Sequence, residues 1–139
     1  MKELAFADIN VGDTASFSKT VTESDIVTFA GLTSDFNPIH VDAEYAKDSL
    51  FKERIAHGML MAGFISAVLG TQLPGPNAIY MGQTLNFKLP VKIGDTVTAE
   101  VTIDEKREDK RILKLKTTVT NQRGEIVVDG GAVIKKVGL

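Results

Sequence analysis

Within the run Ser34-Asp35-Phe36-Asn37-Pro38-Ile39-His40, an acid, an amide and an imidazole fall close together, and His57-Gly58 follows further on. Pro38 fixes its own φ and pushes Asn37 out of the α region. The backbone is therefore expected to bend there, so that the Asp35 and His40 side chains converge on one point. A carboxylate beside an imidazole is a proton-handling pair suited to neutral pH. Asn37 either orients His40 or caps the bend, and His57 either binds the loop backbone or lines an entrance. Each residue also has a structural reading. Asp35 and Asn37 are common turn formers, His40 alone reads as a satisfied imidazole, and Gly58 alone reads as a tight helix start.

The composition narrows what such a site could serve. The chain has 139 residues, 43% hydrophobic and 24% charged, with a net charge of −2 and no cysteine. One domain spanning residues 1–139 is the simplest organisation at that length. The missing cysteines exclude disulfides, thiolate catalysis and a cysteine-ligated metal. Two histidines without suitably spaced carboxylates give no metal motif, and no cofactor is expected. Interspersed charges give a nucleic-acid partner no electrostatic support. Lys106, Arg107, Lys110, Arg111 and Lys114 read as a solvated hairpin face, with contact to coenzyme phosphates as the other reading. The N-terminus lacks a signal peptide's apolar run. The longest apolar segment, Met59 to Leu69, is far short of a membrane span. A cytoplasmic protein without membrane contact is expected.

The elements that must position these residues can be read from periodicity. Thr14 to Val21 reads as a strand. Thr22 then serves as N-cap for a helix with Asp25 at its third position, its apolar face made by Ile26, Phe29, Ala30 and Leu32. A short helix from Asp42 carries Tyr45, Ala46 and Leu50. A third, from Gly58 to about Gly70, is apolar on nearly all sides and should be wrapped by other structure. Strands follow at 79–89, 96–104, 112–121 and 125–136, with Val97, Ala99, Val101 and Ile103 alternating strictly, as do Leu113 and Leu115. The fold class expected is α+β: a single domain in which a curved antiparallel sheet wraps a long apolar central helix. The sheet's outer face and edge remain available, so a dimer is plausible.

The segments Asp35-Phe36-Asn37-Pro38-Ile39-His40 and Ile55-Ala56-His57-Gly58-Met59-Leu60 together resemble the hydratase-2 motif of the MaoC-like (R)-specific enoyl-CoA hydratases. The likeness extends through Leu73-Pro74-Gly75, Tyr80-Met81-Gly82-Gln83, Phe87-Lys88-Leu89-Pro90-Val91 and Ile93-Gly94-Asp95. It covers nearly the whole chain and is strongest to the single-domain type that supplies polyhydroxyalkanoate synthesis. Two positions depart from the family pattern: Ser34 where Gly is frequent, and Arg54 where a proline is common. The resemblance implies a hot-dog fold, a homodimer, and reversible syn hydration of trans-2-enoyl-CoA to (R)-3-hydroxyacyl-CoA. It makes Asp35 and His40 the catalytic pair. Gly58 becomes the oxyanion-hole residue, because a helix start presents free N–H groups and glycine allows close approach. Ser66 becomes a partner of Asp35, against its plainer reading as a back-bonded serine.

The same residues fit other functions. A dehydratase acting on 3-hydroxyacyl groups carried by acyl carrier protein would use the same pair. A hot-dog thioesterase is disfavoured by the hydration machinery. A non-catalytic acyl-thioester binding subunit is disfavoured by the intact Asp/His pair.

Overall fold

The computed structural model describes residues 3–138. A short 3-10 turn at Phe6–Asp8 leads into strand β1 (Thr14–Thr20) and helix α1 (Glu23–Thr33). Two short helices follow, α2 (Pro38–Val41) and α3 (Ala43–Lys47), then the long α4 (Gly58–Thr71). Strands β2 (Ala78–Phe87), β3 (Thr96–Arg107), β4 (Ile112–Thr120) and β5 (Ile126–Lys136) complete the chain. All five strands pair antiparallel in the order β1-β3-β4-β5-β2. Helix α4 packs across one face of this sheet, against β1, β2, β3 and β4.

The strand alternation works as the sequence requires. Val97, Ala99, Val101 and Ile103 of β3 are buried, as are Leu113, Leu115 and Val119 of β4. They meet Met61, Phe64, Ile65, Val68 and Leu69 of α4 in one continuous core. Strand β3 runs past Asp104 to Arg107 because a register shift between Ile103 and Glu105 absorbs the break in alternation. Strand β2 stops at Phe87, since the Lys88 and Leu89 N–H groups both turn to the Val127 carbonyl. In β5 a Cβ on Gly130 would stand 1.8 Å from the Thr84 carbonyl oxygen, so only glycine lets β2 pass there.

Four expectations need correction. Helix α4 is not covered all round: Met59, Gly63, Ser66, Ala67 and Gly70 are exposed along one stripe. The apolar face of α1 is narrower than expected, with Ile26 and Ala30 buried but Leu32 exposed, because the chain leaves the helix one residue later. Helix α3 ends at Lys47, which leaves Leu50 off the helix and exposed, with Tyr45 on its outer side. The basic hairpin is also only partly solvated. Lys106 Nζ donates to the Ile9 carbonyl at 2.8 Å, Arg111 Nε donates to the Lys136 carbonyl at 2.8 Å, and both cations lie over the Phe6 ring.

Candidate active site

The loop between α1 and α2 is built from a chain of local side-chain-to-backbone bonds. Ser34 closes α1 in the left-handed region at φ 68°. Thr33 Oγ1 then accepts the Asp35 N–H, Asp35 Oδ1 accepts the Asn37 N–H, and Asn37 Oδ1 accepts the Ile39 N–H, each at 3.2 Å. Asn37 is thus the N-cap of α2, and Pro38 stands at the first helical position, where its missing N–H costs nothing. One turn later the helix delivers His40. Of the two readings of Asn37, the cap is the one realised.

His40 is held from the other side by residues 54 and 55. The Ile55 N–H donates to the Ile39 carbonyl at 3.2 Å, and Arg54 Nε donates to the His40 carbonyl at 2.7 Å. Arg54 also pairs with Glu23 of α1 at 2.6 Å. His40 Nδ1 lies 2.7 Å from the Ile55 carbonyl. A carbonyl only accepts, so Nδ1 carries the hydrogen and Nε2 keeps its lone pair. Burial pushes the His40 pKa below its ordinary value of 6.5, with His57 adding to that; the Ile55 carbonyl and Asp35 pull the other way.

His57, N-cap of α4, is 2% exposed. Its ring stacks on His40 at 3.8 Å between centroids and meets the Phe29 ring of α1, tilted, at 4.8 Å. Its Nε2 lies 3.0 Å from the Asp35 carbonyl. The donor atoms of Asp35, His40 and His57 fall within 4.8 Å of one another. Each ring has one nitrogen on a backbone carbonyl, which leaves His40 Nε2 and His57 Nδ1 as the remaining ring nitrogens, the latter buried.

Two clefts flank the pair. One, of about 390 Å³, is lined by His40, His57, Gly58, Met61 and Phe87. The other, of about 690 Å³, holds Asp35, Ser66, Phe29, Met59 and Leu85. Gly58 opens α4 at the first cleft, and a Cβ there would stand 2.7 Å from the Phe87 ring. Ser66 shares the second cleft with Asp35, but among the described residues its hydroxyl has no hydrogen-bond partner.

The model of the MaoC like domain family matches residues 9–124, most of the chain. The chain belongs to the MaoC-like family. It is 56% identical over 129 residues to an (R)-specific enoyl-CoA hydratase of Rhodospirillum rubrum, covering 93% of this chain and 89% of that one. It is 46% identical to a 3-hydroxybutyryl-CoA dehydratase of Methylorubrum extorquens, covering 97% and 85%. Among solved structures, the (R)-hydratase from A. caviae involved in PHA biosynthesis superposes with a TM-score of 0.91 at 46% identity, covering 94% of this chain and 98% of that one. The expected hot-dog architecture is the one observed.

In this MaoC-like chain the structure gathers Asp35, His40 and His57, with Gly58 beside the two histidines in the first cleft and Ser66 beside Asp35 in the second. Two contributors escaped the sequence reading. Phe87 arrives from the end of β2, and nothing local marks it. Arg54 carried a signal in its departure from the family's proline, which here places a guanidinium on the His40 carbonyl.

Proposed function

We infer that the protein is an (R)-specific enoyl-CoA hydratase, adding water reversibly across C2=C3 of a trans-2-enoyl-CoA. The observation that carries this is the Asp35 carboxylate beside a neutral His40 whose Nε2 is bare, next to the glycine that opens α4. A water held by both groups would attack C3 as the pair takes one proton. That proton then passes to C2 on the same face, so the enzyme ends in its starting state. The Gly58 N–H, first in α4 and without an intrahelical acceptor, would bind the thioester oxygen as enolate charge develops. The order Gly58, Asp35/His40, Ser66 follows the substrate from C1 through C3 into the tail. This puts the acyl chain in the second cleft among Phe29, Met59 and Leu85.

The protein would work as a cytoplasmic homodimer supplying (R)-3-hydroxyacyl-CoA for polyhydroxyalkanoate synthesis. Support for the dimer comes from the open stripe of α4 and the exposed Ile79, Tyr80 and Met81 of β2. Both meet at the second cleft, so a second copy would close it over the acyl chain. Among the described residues no helix is long and apolar enough to cross a membrane.

The deciding experiment follows loss of enoyl-thioester absorbance with crotonyl-CoA for wild type, Asp35→Asn and His40→Gln. Rapid hydration that falls about 10²–10⁴-fold in each variant is expected. Wild-type rates in both variants would remove the pair from the mechanism. Faster turnover of the same acyl group on acyl carrier protein would replace CoA as the natural carrier.

A further inference from the structure

We propose that His57 is a positioning residue that fixes Asp35 through its carbonyl and His40 through its ring face. The proposal rests on the hydratase reading and names a device within that site. Its first support is the tautomer. The Asp35 carbonyl at 3.0 Å requires a hydrogen on His57 Nε2, which leaves Nδ1 as a bare acceptor. That Nδ1 is buried and has no partner among the described residues. The titratable groups around the ring are Asp35 and His40 from the α1–α2 loop and α2, and Phe29 of α1 packs against it. The Arg54 guanidinium behind His40 is committed to Glu23 and the His40 carbonyl.

The second support is the ring stacking on His40. Packing alone would be served by phenylalanine, without an orphaned buried acceptor. Histidine adds an N–H directed at the backbone of one catalytic residue while its face rests on the other. His57 therefore ties the separation of the two groups that share the water to the start of α4, where Gly58 receives the thioester oxygen. His40 and His57 are consequently opposite tautomers, Nδ1–H in one and Nε2–H in the other.

The test has two independent arms. Nitrogen-15 long-range correlation spectra of the whole protein report tautomers without any turnover. His57 is expected as Nε2–H and His40 as Nδ1–H. An Nδ1–H His57 would overturn the proposal. The kinetic arm compares His57→Phe, which keeps the ring face without the donor, with His57→Gln, which keeps an N–H without the ring. Thermal melts verify that both fold. His57→Phe is expected to lose kcat on the order of 10–100-fold with KM little changed, and His57→Gln to recover part of the loss. Wild-type kcat in both would reduce His57 to packing and overturn the proposal. If the wild type hydrates no enoyl-CoA, the hydratase reading falls, and the spectra still decide the tautomers.

Discussion

His40 sets the pH behaviour of the candidate site. Its pKa lies below 6.5 because burial penalises the cation and His57 adds to the effect. The working form under the hydratase reading is neutral, with Nε2 free, so activity is lost as pH falls through that depressed value. The acid limb of kcat/KM should therefore have its midpoint below 6.5; a midpoint above it would mean that a different group limits the reaction. Stability has the same sign. The unfolded chain takes up this proton first as pH falls below 6.5, so the folded state loses ground from there down to its own depressed pKa. The pair itself was legible because its residues lie close in sequence around a proline that dictates the bend. Phe87 was not, since only the β2–β5 pairing brings it to Gly58.

Among the elements, α1 behaves as its sequence announces. The Thr22 side chain accepts from the Asp25 N–H at 3.1 Å, and the Asp25 carboxylate accepts from the Thr22 N–H at 3.0 Å. Replacing Thr22 with Ala should cost about 1 kcal/mol of stability, read by urea denaturation, without touching the site. Arg54 joins α1 to α2, and its loss acts differently. Arg54→Met removes hydrogen bonds to Glu23 and the His40 carbonyl. It should destabilise the protein by about 1–3 kcal/mol and also lower kcat, because α2 carries His40. An unchanged kcat would show that the Ile55 contacts suffice to hold α2. Helix α4 was located correctly, yet its surroundings were not legible. An apolar helix says that it will be covered, and cannot say by which chain.

At the scale of the whole molecule, the curved sheet on one helix followed from the switch of hydrophobic period after Gly70. Strand order did not, because β1 could join either edge until its pairing with β3 is seen. The stability of this arrangement rests on the α4–sheet contact. Leu115→Ala should cost about 2–5 kcal/mol, measured by denaturant titration. Sedimentation equilibrium should find two chains per particle, and a fully active monomer would leave the α4 stripe without the role given it here.

The contact between Gly130 and the Thr84 carbonyl bears on how sequence variation in this protein is interpreted. No side chain fits at Gly130 unless β2 and β5 move apart, whether or not a substrate is present. In a saturation library, every substitution at Gly130 should vanish from the soluble fraction. Substitutions at Asp35 and His40 should stay soluble and vanish only under selection for turnover. Position 130 then calibrates the library, marking the depletion that misfolding alone produces and against which catalytic losses can be measured.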